Sequence, residues 1–506
     1  MSAHIVTQIQ SLGVRLGDNL LPRKGGAGPA DAGTFLIDGR AVSVPTVSPY
    51  VSASPYSLRA GEESFFLCKD GRLDLLPVEL ISRPRFYGQA AGDGTPCSKI
   101  ALLHGKDCLA TSVLQTCVYW KSERRCRFCG IELSLKNGQT IALKSPSQLA
   151  DTASSAMALD GVKHVVLTTG AARPRDAEFT ILAEASSAIK KATGLPIHAQ
   201  FLPPVDLEKL RDLKRSGVDT VGIHIESFDM QTLSRIAPMK AAIGLRGYDE
   251  AWKAAVEIFG PNQVSSFLIA GLGERPETIG SGCEYLADLG VYPFLVPLRP
   301  IPGSLLENVV PPDPSIMIGH YEKAAAILEQ AGLSASRSLA GCVRCGACSA
   351  LPLYERAEPA LTCHRARTSF ELSQAFEIRK QVFVDEQEMF AGSDTDANDS
   401  HSIHLVVKHG QELVGTVRVF CNGDGNEHWI GGRLAVKKGY RAFGAGELLV
   451  RKAVATIKKQ GCTRFTAFIQ ERNVPFFLRL GWKTVGNPKL HFGRVHQIME
   501  ADLEDR

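Results

Sequence analysis

From Cys108 onward the chain alternates between two hydrophobic patterns. Short apolar runs occur at Cys108–Thr116, His164–Gly170, Ile197–Pro203, Thr220–Ser227, Val264–Gly273 and Phe294–Pro300. Between them lie stretches whose apolar positions return every three or four residues, such as Asp176–Ala192 and Tyr248–Phe259. The first pattern predicts strands and the second helices. Six such units in succession predict parallel strands with helical crossovers. That arrangement is either an open doubly wound sheet or a partial barrel, which periodicity alone does not separate.

A helical stretch at Pro314–Ala331 follows, and Leu351–Arg365, with two prolines, reads as a connecting segment. A second block then runs helix Phe370–Val384, strands His404–Val407, Leu413–Phe420 and Trp429–Val436, helix Glu447–Lys459, strand Arg464–Gln470 and helix Val474–Leu480. This is a compact α+β unit of about 140 residues, an ordinary domain size. Residues 1–105 offer a short helix, a Gly/Pro/Ala-rich turn at Lys24–Ala32 and apolar segments such as Thr34–Val44, with no evident chemistry. The expected division is an extension at 1–105, a βα array at 106–335, a cysteine-rich linker at 336–365 and the α+β domain at 366–506.

Composition narrows the class. The 506 residues are 44% hydrophobic and 22% charged, as in a globular protein with packed cores. The net charge is +4, and the part from Ala366 onward holds 20 Lys+Arg against 17 Asp+Glu. Neither part has the basic surplus of a phosphate-gripping domain, so nucleic acid is not the expected partner. The first ten residues lack a secretory pattern and no apolar run reaches about 18 residues, so a cytoplasmic chain with no membrane partner is expected. Seven of the thirteen cysteines fall into two groups, Cys117/Cys126/Cys129 and Cys342/Cys345/Cys348 with Cys363 nearby. In a reducing compartment such grouping favours metal over disulfides.

The first group occupies Gln115-Thr-Cys117-Val-Tyr-Trp-Lys-Ser-Glu-Arg-Arg-Cys126-Arg-Phe-Cys129-Gly-Ile-Glu132, just past the first strand, where βα arrays place their active sites. Three thiolates on one loop suit an iron–sulfur cluster with one open iron. They also suit a zinc loop completed by Cys108 or His104. The segment resembles the radical S-adenosylmethionine (SAM) superfamily, including its Cys-x-Phe-Cys ending. Eight residues separate Cys117 from Cys126, where the superfamily usually has three. The resemblance implies a partial (β/α)6 TIM-type barrel, a [4Fe-4S] cluster on Cys117, Cys126 and Cys129, and an electron donor such as flavodoxin or ferredoxin. It also implies SAM contacts from Thr169 and Gly170 after the second strand and from Glu226 after the fourth. The fifth strand, Phe267-Leu-Ile269-Ala-Gly271-Leu-Gly-Glu274, resembles the adenine-side pattern through Ile269 and Gly271. The loop sequence is most similar to a subfamily whose genes commonly lie beside nitrilase and GNAT genes, a context linked to nitriles or cyanide as nitrogen sources.

The second group, Gly341-Cys342-Val-Arg-Cys345-Gly-Ala-Cys348, resembles a ferredoxin-type run, with Cys363 available as fourth ligand. Structural zinc, with His364 as a ligand, is the other reading.

In the last block, Gly432-Arg-Leu434-Ala-Val436-Lys-Lys-Gly-Tyr-Arg441-Ala-Phe-Gly444-Ala-Gly446 runs strand, glycine loop, helix. Unpaired N–H groups from Arg441 to Gly446 at a helix N-terminus are suited to a pyrophosphate. With Asn473 and Phe476-Phe477-Leu-Arg-Leu-Gly481-Trp482 following, the block resembles the GNAT N-acetyltransferases. That resemblance implies acetyl-CoA held by Leu434, Val436, Arg441, Gly444, Gly446 and Asn473. Phe476 and Phe477 stand where many relatives carry an acidic tyrosine. Glu386, Asp385 and Glu471 are candidate bases, with Glu386 preferred.

The combined expectation is an α/β radical SAM barrel fused to an α+β GNAT domain. It would be a bifunctional enzyme of small-molecule nitrogen metabolism whose second half acetylates an amine of the first half's substrate or product. The alternatives are an Elongator-like tRNA wobble-uridine modifying enzyme, which also joins these two domains, and a non-enzymatic iron–sulfur regulator that binds CoA.

Overall fold

The computed structural model describes residues 3–16, 32–60, 65–70, 72–355, 361–409, 412–423, 427–441 and 444–503. The Lys24–Ala32 turn lies outside them except for its last residue. The chain forms two compact units, Met1–Arg356 and Ala357–Arg506.

In the first unit six parallel strands run in chain order across one sheet: β1 (Cys108–Leu114), β2 (His164–Thr169), β3 (Ile197–Phe201), β4 (Thr220–Ile223), β5 (Val264–Ala270) and β6 (Val291–Pro297). Each strand pairs with its sequence neighbours. A doubly wound sheet reverses its strand order at a switch point, and no reversal occurs here. The fold is therefore singly wound, a partial barrel. A short antiparallel strand, Leu102–His104, caps the β1 edge. The opposite edge strand β6 is buried along its whole length. The cysteine-rich segment covers it, with Ser349 donating to the Leu295 carbonyl.

The first 105 residues are more than an extension. Helix Ala3–Leu12 and a five-stranded antiparallel sheet, Ala32–Ile37, Arg40–Pro45, Tyr56–Ala60, Phe65–Lys69 and Arg72–Leu80, belong to the same apolar core as the barrel. Ser43 of this sheet donates its backbone N–H to the Ala347 carbonyl at 2.8 Å, and Gln10 donates to the same carbonyl at 2.9 Å. The N-terminal layer thus closes over the second cysteine group.

The second unit is one seven-stranded sheet. Its strands are β7 (Leu361–Arg365), β8 (Ile403–His409), β9 (Glu412–Cys421), β10 (His428–Val436), β11 (Arg464–Gln470), β12 (Lys483–His491) and β13 (Arg494–Glu500), in the order β7-β8-β9-β10-β11-β13-β12. Strand β7 lies in the stretch expected to be linker, and it pairs with β8 from Leu361↔His409 to Arg365↔Leu405. The β12–β13 hairpin had no apolar alternation to announce it, because β12 is mostly exposed. Its turn residues Phe492 and Gly493 both have positive φ, the geometry of a tight hairpin.

All pairings in this sheet are antiparallel except β10–β11. Those two strands run parallel from His428↔Arg464 to Gly431↔Ala467 and then part. Beyond that point β10 reaches Val436 and β11 reaches Gln470 with no ladder between them. Backbone donors and acceptors left unpaired inside a fold need another partner, and the gap between the strands is where a ligand can supply one.

Candidate functional site

The first cavity lies at the C-terminal ends of the barrel strands and has a volume of about 420 Å³. Cys117, Cys126, Cys129, Thr169, Gly170 and Glu226 all line it. The loop carrying the thiols is held at several points. The Cys117 N–H donates to Glu132 at 3.1 Å, and the Arg125 guanidinium stacks 3.4 Å from the Trp120 ring centre while donating to the Cys129 carbonyl. Burial pushes the Cys126 thiol up to about 12 and raises Cys129 as well. A bound cation is what lets such thiols lose their protons.

Gly170 has no room for a side chain, since a Cβ there would stand 1.9 Å from the Thr116 carbonyl oxygen. Thr169 donates its hydroxyl to the Gly170 carbonyl at 2.8 Å. Glu226 adopts a left-handed φ of 75°, a strained conformation that surrounding structure must enforce. Its backbone is held by β5, donating to the Phe267 carbonyl at 3.0 Å and accepting from the Ile269 N–H at 2.9 Å, and its side chain is held by Lys240, which the sequence did not single out. Its Nζ lies 2.7 Å from Glu226 Oε1 and also donates to the His224 carbonyl. Burial opposes the Lys240 charge, but Glu226 outweighs it and holds the ammonium above its ordinary pKa. Glu226 Oε2 is buried without a protein partner. One polar atom is thus left over at the wall of a cavity beside three thiols.

Ile269 and Gly271 do not line this cavity. Ile269 packs with Phe128, the aromatic between the last two cysteines, against Ile236, Leu272, Leu298 and Leu306. Gly271 has a φ of 99° and donates its N–H to Glu274 at 2.8 Å, so the Gly-x-x-Glu pattern closes its own turn.

The second cysteine group is built from different partners than expected. Cys345 lies 3.4 Å from His104 Nδ1 and Cys348 lies 3.3 Å from His104 Nε2. Cys108 is buried beside Cys345. Cys342 accepts from Gln200 Nε2 at 3.3 Å. Cys108 and His104, considered above for the first loop, are therefore gathered here. Cys363 lies on β7 of the second unit, packed against that unit's own apolar core. His364 pairs with Glu371 at 3.1 Å in the second unit rather than joining a metal set.

The second cavity, about 330 Å³, opens where β10 and β11 part. Leu434 and Asn473 line it, together with Phe477, Gln470, His491 and His496. Val436 is buried beside it, and its carbonyl accepts from Arg441 Nε at 2.9 Å. Gly444 has a φ of 81° and starts helix Ala445–Lys458, with Gly446 one turn position in. Ala442 and Phe443, within the expected pyrophosphate loop, lie outside the described residues.

At the far end, three arginines and three aspartates tie the loop before β8 to the sheet and to helix Ser369–Arg379. Arg379 bonds Asp394 at 2.9 Å and Asp399 at 2.6 Å, Arg418 bonds Asp396 at 2.8 Å and Asp399 at 2.7 Å, and Arg433 bonds Asp394 at 3.1 Å and Asp396 at 3.3 Å. Arg418, Arg433 and Asp396 reach the cavity among the rings of Phe383, Phe390, Phe420, Phe468 and Phe492. The spacing Asp394-x-Asp396-x2-Asp399 was a visible signal for this network.

Glu386 does not line the cavity. It ends the π-helical stretch Lys380–Glu386 and grips Arg441 with both oxygens, at 2.7 and 2.5 Å. The Arg441 guanidinium holds the Glu386 carboxyl below the usual carboxylate range, the wrong direction for a base near neutral pH. Asp385 pairs with Lys380 and is likewise absent from the cavity lining, as is Glu471. His496 does line it. Its Nδ1 lies 2.9 Å from the Arg494 carbonyl, so the neutral ring carries its hydrogen on Nδ1 and Nε2 is the nitrogen that takes a proton.

The chain thus carries two cavities, one set with thiols and one at a parallel-strand gap. Residues 123–285 match the radical SAM superfamily and residues 369–482 match the acetyltransferase (GNAT) family. "Putative acetyltransferase BSU40680" of Bacillus subtilis (strain 168) is 32% identical over 132 residues, 26% of this chain and 88% of that protein. Through its second unit the chain belongs to the GNAT family, and it carries a radical SAM domain ahead of it. The bacteriochlorophyllide c C-7(1)-hydroxylase of Chlorobaculum limnaeum is 32% identical over 133 residues, 26% of this chain and 33% of that protein. The chain therefore spans a third of that relative's length. Among solved structures, Escherichia coli ElaA is 21% identical with a TM-score of 0.26, covering 28% of this chain and all of its own. No helix among the described residues is long and apolar enough to cross a membrane.

Proposed function

We propose that the protein is a bifunctional enzyme of small-molecule nitrogen metabolism. Its first unit would abstract hydrogen from a nitrile- or cyanide-related compound, and its second would acetylate an amine of that substrate or product. The observation that carries the reading is the meeting of Cys117, Cys126, Cys129, Gly170 and Glu226 in one cavity. The nitrogen-metabolism assignment rests on the likeness of the Cys117–Cys129 loop to the nitrilase-associated subfamily. The matches to known proteins add no weight to the tRNA-modifying alternative.

The residues fit the implied groups. The three loop thiols would hold a [4Fe-4S] cluster, and the unpartnered Glu226 Oε2 would take the SAM ammonium. When bound and reduced by an external donor such as flavodoxin or ferredoxin, the cluster supplies the electron that splits SAM into methionine and a 5′-deoxyadenosyl radical. The protein's part is positional. Lys240 holds the Glu226 carboxylate in place, Gly170 lets the backbone approach closely, and the Arg125–Trp120 stack braces the loop at the cavity wall.

In the second unit, the backbone of β10 near Leu434, beyond its ladder with β11, would bond the pantetheine arm, while Gly444, Gly446 and Arg441 would border the pyrophosphate. His496 takes the proton of the attacking amine, directly or through water, as the nitrogen adds to the thioester carbonyl and CoA leaves. With Phe477 in the cavity wall and no tyrosine among the described residues lining it, solvent protonates the CoA thiolate.

The test is anaerobic turnover. Reduced, iron-loaded protein should convert SAM to 5′-deoxyadenosine and should take deuterium from labelled small nitrogen compounds. Deuterium transfer only from tRNA would overturn the small-molecule assignment. Failure of the isolated first product to be acetylated would overturn the relay between the two activities.

A further inference from the structure

The far end of the second cavity is built of aromatic rings drawn from separate stretches of chain. Phe383 belongs to the π-helical stretch Lys380–Glu386, Phe390 to the loop after it, Phe420 to β9, Phe468 to β11 and Phe492 to the turn between β12 and β13. Four of the five form one line of contacts. Ring centres lie 6.5 Å apart for Phe383 and Phe390, 4.7 Å for Phe390 and Phe492, 4.1 Å for Phe492 and His491, and 4.8 Å for His491 and Phe468. The line ends beside His496, whose ring centre is 5.4 Å from that of His491. With His496 taking the proton of the attacking amine, these rings stand where the rest of that amine lies.

Two of the rings are open to water. Phe468 is 40% exposed and Phe492 45%, whereas Phe465 and Phe477, which also line the cavity, are packed into the core of the unit. Rings held at a cavity mouth rather than in a core offer surface to an apolar ligand.

The polar groups at this end are matched to one another. Among the described residues lining the cavity Asp396 is the only carboxylate, Arg418 and Arg433 are the only guanidinium groups, and there is no lysine or glutamate. Both arginines bond Asp396, and the network of three arginines and three aspartates carries no net charge. The Arg433 guanidinium lies over the rings of Phe390 and Phe492, 4.5 and 5.2 Å from their centres. Burial, with His496 and Arg433 close by, holds His491 below its ordinary pKa, so its ring is neutral. Arg418 Nε is buried without a partner, one N–H left over for an uncharged oxygen or nitrogen.

We infer that the acetyl acceptor is an arylalkylamine, a primary amine on a short arm from an uncharged aromatic ring, with that ring seated among Phe390, Phe468 and Phe492. A polyamine or an amino acid would bring a second charge into a place with no net charge to meet it, and an amino sugar would lay its hydroxyls against rings. The inference rests on the acetyl-transfer reading of the second unit and is independent of the radical chemistry of the first.

The test offers 2-phenylethylamine, spermidine, glucosamine and lysine in turn to the full chain with acetyl-CoA. Release of CoA is read with a thiol reagent and the product by mass spectrometry. The kcat/KM for 2-phenylethylamine should exceed each of the others by at least about 10²-fold, the scale on which apolar pockets reject added polar groups. Phe468→Ala and Phe492→Ala, at exposed positions where folding is not at stake, should each raise the KM for 2-phenylethylamine about tenfold and leave the KM for acetyl-CoA unchanged. Leu490→Ala, exposed on the same hairpin outside the cavity lining, should change neither. A preference for spermidine, glucosamine or lysine, or ring variants that leave the amine KM where it was, would overturn the inference while acetyl transfer stands. Ring variants that alter sedimentation instead of KM would assign the rings to contact with a second copy and overturn it equally. Acetyl-CoA that binds but is transferred to none of the four amines would sink the acetyl-transfer reading, and this inference with it.

Discussion

On the function proposed above, the two cavities would each hold a large reactive cofactor, and they are built by opposite means. In the first unit the protein contributes side chains: three thiols from one loop, and a buried Lys240–Glu226 pair that fixes a charge at the wall. In the second it contributes backbone, because β10 and β11 separate after four paired residues and leave the ladder open. Side-chain sites are fragile to single substitutions at their ligands. A backbone site survives most side-chain changes and is instead sensitive to glycine positions and to the groups that meet the acceptor. That contrast orders the expected effects.

The largest effect should come from Cys126→Ala. Loss of one ligand from a three-ligand set should abolish 5′-deoxyadenosine formation, by more than about 10³-fold, since the reaction has no alternative electron path. Amine-dependent release of CoA should stay within about twofold. A parallel fall of both activities, measured by chromatography and thiol assay on the same preparation, would break the division between the two cavities.

Next comes Lys240→Met. Removing one partner of a buried ion pair typically costs about 3–5 kcal/mol, because the remaining charge is left uncompensated. The variant should melt earlier and bind SAM more weakly. Lys240→Met combined with Glu226→Gln should recover most of the lost thermal stability while SAM binding stays impaired, which separates the structural part of the pair from its ligand-facing part. Recovery of SAM affinity in the double variant would contradict the role given to Glu226.

In the second cavity, His496→Gln should lower kcat for acetyl transfer by about 10²–10³-fold, the usual scale of general-base catalysis, with little change in the KM for acetyl-CoA. Glu386→Gln should leave kcat within a few-fold and act mainly on the KM for acetyl-CoA, because it releases Arg441 from its grip. The reverse pattern would restore Glu386 as the base.

These two residues also show what the sequence could and could not display. The βα alternation, the Cys117–Cys129 loop and the strand–glycine–helix segment around Gly444 are contiguous, so their order along the chain carries their meaning. Lys240, His496 and the Cys108–Cys345 contact are products of topology. Lys240 lies 14 positions after Glu226 on the second helix that follows, and His496 reaches the cavity through a hairpin whose exposed β12 has no hydrophobic alternation. Glu386 looked right because it closes the opening helix, but the π-helical stretch turns it to Arg441. Strand β7 was hidden for a related reason: its five residues, Leu-Thr-Cys-His-Arg, pair with β8 without carrying a strong apolar pattern.

The smallest effect is one of stability and is confined to the second unit. Glu371 accepts from Lys408 at 2.8 Å, from the Arg367 N–H at 2.8 Å and from His364 at 3.1 Å, and these bonds, Lys408 first, hold its pKa down to about 2. A carboxylate whose folded pKa lies below its unfolded value of 4.5 stabilises the fold above that value, and the contribution is lost as pH falls through 2. The shift corresponds to up to ~3 kcal/mol at neutral pH. Glu371→Gln should therefore speed hydrogen exchange in β7 and β8 at pH 7, and the difference from the unsubstituted protein should shrink between pH 4.5 and 2. An unchanged gap across that window would mean that Glu371 acts through packing alone. Exchange in β1–β6 should not respond, because the charge that is removed belongs to the other unit.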